Sequence, residues 1–215
     1  MVPATVRRRV RVTTPSAITH APEGLFDREF GNATAGKIGM WVYLVTDAMM
    51  FGGLLIAYAV LRVYTDWPSP AEYLGIGVSG VATFILICSS VSMVLAIQAA
   101  EQADRPGLLR WLGLTILGGL SFLGIQAFEY THLLEHGMGF AHFEHGNNLF
   151  GSTFYSITGF HGLHVLTGVI YLSVIWIKAH GGRYDGDASH VEIAGLFWHF
   201  VDLIWILVFT FIYLM

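Results

Sequence analysis

Cysteine is almost missing from this chain. Cys88 is the single one in 215 residues. That excludes an internal disulfide framework and any cysteine-rich metal cluster; inside an apolar run, Cys88 reads as a small packing residue. Charge is scarce too. Only 12% of residues are charged, against 54% hydrophobic, which departs from a soluble globular chain and points to a polytopic membrane protein. The formal net charge of −4 decides little, because where charges sit matters more than their sum. The polar tail before Gly36 has no apolar h-region, so no cleavable signal peptide is expected. No internal repeat is visible, which argues against a transporter made of inverted repeats.

What the chain has instead is five apolar stretches. Each is long enough to cross about 30 Å of hydrocarbon, which takes about 20 helical residues. They run over Gly36–Tyr64, Tyr73–Ala100, Leu108–Leu134, Phe150–Ala179 and Val191–Met215. Turn-forming clusters separate them: Asp66-Trp67-Pro68-Ser69-Pro70, Asp104-Arg105-Pro106-Gly107 and Gly181 to Gly186. The third connection, Glu135–Asn148, is rich in histidine. The expected fold is all-α, a five-helix transmembrane bundle (36–215) behind a basic polar tail (1–35).

Cation placement sets the expected orientation. Arg7, Arg8, Arg9, Arg11, Arg28 and Lys37 precede or open the first run; Arg105 and Arg110 lie at the second connection, Lys178 and Arg183 at the fourth. Arg62 alone falls on the other side. The positive-inside rule then puts the N-terminus in the cytoplasm and the C-terminus outside. Beside a membrane domain, the arginine-rich tail is read as a contact for anionic lipid or a topology signal, with no nucleic-acid partner. Lys178, His180 and Arg183 are candidates for lipid headgroups, since basic side chains near helix ends reach toward phosphates.

Small residues four apart recur at Ala48/Gly52, Gly53/Ala57, Cys88/Ser92/Ala96 and Thr158/Gly162. Such spacing lets helix backbones approach closely in lipid. Gly113, Gly118, Gly119 and Gly124 give the third run the same character.

Ionisable side chains inside the runs carry the functional reading. A charge at bilayer centre costs about 2.5–3.5 kcal/mol on the mildest scale, so each is a candidate for function or for bundle assembly. Asp47 lies about 16 Å into the first helix, close to the midplane, with Tyr43 one turn before it. Gln126 and Glu129 share a face toward the outer end of the third helix. His161 and His164 share one at mid-depth in the fourth, and His199 and Asp202 in the fifth. If these faces converge they form one buried network, and the His199/Asp202 pair is expected to meet the His161/His164 face. One reading is a proton-accepting group or path, with Asp47 its foremost member. The other is interhelical hydrogen bonding that fixes the bundle.

Histidine spacing raises a rival. His132/His136 form an H-x3-H, and His142/His145 and His161/His164 each form an H-x2-H, spacings that resemble the boxes of membrane di-iron enzymes. Those boxes should gather at one membrane face, whereas His161 and His164 fall mid-bilayer, and no doubled H-x2-H-H occurs. A bis-histidine haem site is disfavoured because no helix carries two histidines two or more turns apart on one face.

Four segments then resemble subunit III of the haem–copper terminal oxidases. They are KIGMWVYLVTDAMMFGG (Lys37–Gly53), IQAFEY (Ile125–Tyr130), GSTFYSITGFHGLHV (Gly151–Val165) and FWHFVDLIW (Phe197–Trp205), in family order from about Lys37 to Met215. The resemblance implies the five-helix bacterial form, without the first two helices of seven-helix members. It implies a non-redox accessory subunit of a proton-pumping oxidase that reduces oxygen to water in the bacterial cytoplasmic membrane. This chain would bind no metal of its own. Haem and copper would sit in subunit I and the electron-accepting copper centre in subunit II, with subunit IV a further expected partner. The chain would flank subunit I, hold structural phospholipid and support proton uptake and stability in turnover, with Asp47 near an oxygen path. The family acid at Asp47 is usually Glu where cytochrome c is the donor, and Asp in quinol-oxidising relatives and some bacterial cytochrome c oxidases. The GSTFY and TGFHGLH wording tilts toward cytochrome c. A quinol oxidase, a nitric-oxide reductase system and a di-iron membrane enzyme stand as alternatives.

Overall fold

The computed structural model describes residues 35–65, 67–69, 74–140, 147–182 and 188–215. They form five helices: α1 (Ala35–Tyr64), α2 (Ile76–Glu101), α3 (Arg105–Glu135), α4 (Asn148–His180) and α5 (Ser189–Val208). The last continues through a π-helical turn, Phe209–Leu214. All five are long and apolar enough to cross a membrane, α5 together with its π turn. With the π turn counted in α5, every observed bound lies within three residues of the one read from the sequence. The polar tail and Arg183 lie outside the described residues.

Local chemistry explains the helix ends. Asp104 caps α3 by accepting from the Gly107 N–H at 3.2 Å, and Pro106 fits a first turn whose N–H groups have no helical partner. Asn147 caps α4 through the Leu149 N–H at 2.9 Å. The turn joining α2 to α3 is tight enough to hold Ala103 at φ 54°, a left-handed conformation an alanine adopts only under tertiary constraint. Arg105 Nε donates to the Ala179 carbonyl at 3.0 Å, tying the start of α3 to the end of antiparallel α4. Lys37 pairs with Glu192, which joins the starts of α1 and α5.

Packing is uneven. α2 lies along α3 most extensively, α5 rests on α2 and α4, and α1 sits at the edge against α5 and α4. Trp198 fills the centre and is 1% exposed. A Cβ on Gly119 would stand 2.5 Å from its ring, and one on Gly168 3.0 Å, so those two positions must be glycine for α3 and α4 to close over the indole. Gly118 against Ser89 and Gly195 against Ile97 are as tight. Ser92 and Ala96 are buried as the four-residue spacing implies.

The same spacing misleads on α1. Among the described residues nothing lies within 4 Å of a Cβ built on Gly52 or Gly53, and on α2 Cys88 is likewise exposed rather than packed. Small residues permit close approach without compelling it, and in lipid an apolar face has no water to escape.

Candidate functional site

The intramembrane polar residues do not gather into one network. They form separate pairs, most of which join two helices. Asp47 is not solitary: its Oδ1 lies 3.1 Å from His164 Nε2, linking α1 to α4. Each residue falls within a turn of the middle of its helix, so the pair lies near the bilayer midplane. Asp47 is 6% exposed and its Oδ2 has no partner among the described residues. On its far side, His164 Nδ1 is 2.7 Å from the Phe160 carbonyl. A carbonyl only accepts, so Nδ1 must carry hydrogen. The contact to Asp47 then holds one proton in either of two forms. A neutral carboxyl donates to bare Nε2, or a protonated imidazole donates to a carboxylate. Both forms are neutral as a pair, which is how a charge can be kept at this depth. Phe51 closes the site edge-on to the imidazole, with ring centroids 5.3 Å apart.

His161, three residues before His164, turns elsewhere. It is fully buried against Trp205, with centroids 4.8 Å apart, and edge-on to Phe122 at 5.6 Å. Neither ring nitrogen has a partner. A separation of three residues leaves enough angle for the two imidazoles to face different neighbours.

The expected meeting of His199 and Asp202 with the His161/His164 face does not occur. His199 Nδ1 is 2.6 Å from Ser90 Oγ on α2, and Asp202 Oδ1 is buried with no hydrogen-bond partner among the described residues. The reason is the rotation of α5: the residue that meets His161 is Trp205, three positions further on. Trp205 also reaches α2, donating to Thr83 Oγ1 at 2.9 Å.

Gln126 and Glu129 serve different partners as well. Gln126 Nε2 donates to the Thr158 carbonyl at 2.8 Å and to Tyr130 OH at 3.1 Å; Tyr130 OH and Thr158 Oγ1 are 2.7 Å apart. This binds α3 to α4, and Gly162 leaves the room: a Cβ there would stand 2.9 Å from Gln126 Oε1. Glu129 accepts from Ser79 Oγ at 2.9 Å and from Tyr213 OH at 3.0 Å, joining α3 to α2 and to the π turn. Ser79, Ser90, Trp205 and Tyr213 were not legible as partners. The π turn that swings Tyr213 inward leaves no mark in the sequence.

At the C-terminal end of α4, Lys178 and His180 are exposed in the last turn. His132 and His136 stack 4.2 Å apart at the C-terminal end of α3, while His142 and His145 lie outside the described residues. Among the described residues no three His, Cys, Asp or Glu side chains converge as metal ligands do.

Comparison with known proteins bears on these same helices. Residues 27–215 match the family described as cytochrome c oxidase subunit III. The cytochrome c oxidase subunit 3 of Thermostichus vulcanus is 38% identical over 83% of this chain and 86% of its own length. That of a Synechocystis species is 40% identical over 86% of this chain and 78% of its own. The cytochrome bo(3) ubiquinol oxidase subunit 3 of Pseudomonas aeruginosa is 35% identical over 88% and 90%. The matched region holds all five helices and every polar pair described above, and on that extent the chain belongs to the cytochrome c oxidase subunit III family.

Proposed function

We propose that this chain is the non-redox accessory subunit of a proton-pumping haem–copper oxidase, with cytochrome c as electron donor. The observation that carries the mechanistic part is the Asp47–His164 contact. It is a buried acid–base pair, near mid-bilayer, that shares one proton. Such a pair can shift its shared proton between oxygen and nitrogen with no change in net charge, and it takes up or gives back a further proton at the cost of one unit of charge. In this reading Asp47 and His164 support proton supply to a catalytic partner. The groups centred on Gln126, Glu129 and His199 fix the bundle, since each is hydrogen-bonded between elements. Haem and copper belong to the partner subunits I and II, with subunit IV a further partner. The chain sits in the bacterial cytoplasmic membrane with its N-terminus inside, and Lys178, His180 and Arg183 are its candidate contacts for phospholipid headgroups.

A quinol donor is the second reading, supported by the relative named as a ubiquinol oxidase subunit and by aspartate at position 47. Affinity purification of the tagged chain from native membranes tests both. A much larger haem-bearing subunit should co-purify, and oxygen uptake should be driven by reduced cytochrome c. Uptake driven only by quinol would select the second reading, and absence of any haem subunit would defeat both. Orientation is checked by fusing a periplasm-dependent reporter after Met215, expected active, and within the Ala103–Asp104 turn, expected silent.

A further inference from the structure

The groove between α1 and α5 holds a side chain whose outward edge no other group uses. It encloses about 380 Å³ and is walled by Trp41, Val45 and Ala48 from α1 and by Phe200 and Leu203 from α5, with His199 in its lining. His199 Nδ1 is taken by Ser90. No hydrogen bond engages Nε2 among the described residues, so it is the ring nitrogen left free to meet a molecule in the groove that His199 lines.

The Ser90 contact leaves Nε2 in one of two forms. When Nδ1–H donates to Ser90 Oγ, Nε2 is a bare acceptor; when the Ser90 hydroxyl donates to Nδ1, Nε2 carries the hydrogen and is a donor. The site therefore meets a hydroxyl in one form and a carbonyl oxygen in the other.

Depth narrows the occupant. His199 lies ten residues into α5, about 15 Å from its inner end, beyond the reach of a phospholipid phosphate. The occupant must be an apolar body with an isolated oxygen function, and the Trp41 and Phe200 rings suit an aromatic one. The volume suits one ring with the start of a hydrocarbon tail. We propose that this groove binds a lipid-soluble hydroquinone or quinone, with one ring oxygen held by His199 Nε2. The proposal concerns recognition alone and stands on this chain, independently of the oxidase reading.

The test uses native membranes carrying the full, affinity-tagged chain and an azido-ubiquinone with a short isoprenoid tail as photoprobe. Label is expected on the peptides holding Trp41–Ala48 and Leu196–Leu203, and excess decylubiquinone should suppress it. His199→Phe should cut labelling about tenfold, the scale of one lost hydrogen bond. Ala48→Phe should cut it as far by filling the groove while Ser90 and His199 keep their own side chains; where His199→Phe fails to accumulate, this variant decides alone. Four results overturn the proposal. They are no label on these peptides (as when a partner subunit covers the groove), label insensitive to Ala48→Phe, label insensitive to an accumulated His199→Phe, and equal labelling by an azido-alkane of the same length.

Discussion

Asp47 and His164 stand 117 positions apart in the chain and 3.1 Å apart in space, and the Phe160 carbonyl behind the imidazole fixes how many protons lie between them. Asp47→Leu or His164→Leu leaves the other member buried without its partner, at a cost of about 3–5 kcal/mol. The double replacement should cost less than the sum by at least about 1 kcal/mol. Detergent-unfolding midpoints of the four proteins measure this coupling. Additive losses would mean the contact carries no energy.

Asp47→Asn should behave differently. An amide can donate to bare Nε2, so the bond survives and assembly with a normal haem spectrum is expected. The exchangeable proton is gone, so activity should fall at alkaline pH, where proton supply limits, or decay faster in sustained turnover. Asp47→Glu, which keeps the acid, should be nearly silent. Turnover against pH and time decides, and an Asn variant that matches the parent throughout would reduce Asp47 to a structural residue.

His161→Phe should leave stability unchanged or raise it by about 1 kcal/mol, because it removes two unpartnered buried nitrogens and keeps an aromatic ring between Phe122 and Trp205. A marked loss of stability would show that those nitrogens are hydrogen-bonded in the membrane.

Two glycines with the same sequence appearance should part company. Gly119→Ala forces a methyl to within 2.5 Å of Trp198 and should cost about 1–3 kcal/mol through overpacking. A Cβ at Gly52 meets nothing within 4 Å among the described residues; Gly52→Leu should fold normally and lower only the yield of co-purified partner. Equal damage from both, read by thermal stability and subunit stoichiometry, would contradict the packing described.

Tyr213→Phe and Ser79→Ala each remove one donor to Glu129, at about 1–3 kcal/mol for a buried acceptor left short. Thermal inactivation of the variants tests this. No change in either would mean that Glu129 does not hold the π turn.

Much of the fold was legible. Apolar length and cap residues such as Asp104 are local properties, and they placed the five spans and their ends closely. The identity of the buried polar residues was legible for a similar reason, since cost in lipid marks them one at a time. Their partners were not. Which way His161 or Asp202 points depends on the rotation of whole helices, set by Trp198 seating against Gly119 and Gly168. Nor could spacing alone tell Gly52, which faces outward, from Gly119, which faces an indole.

The long reach of the Asp47–His164 contact has a consequence for biogenesis. α1 is synthesised before the helices it rests on, because its neighbours come from α4 and α5. α2 and α3 can pair as a hairpin as soon as both are made. α1 must meanwhile wait in the bilayer, with a carboxyl group and no imidazole to share its proton. An insertion chaperone that shields α1 until His164 emerges would shorten that exposure, and the most vulnerable nascent chain is the one arrested between Glu135 and Asn148.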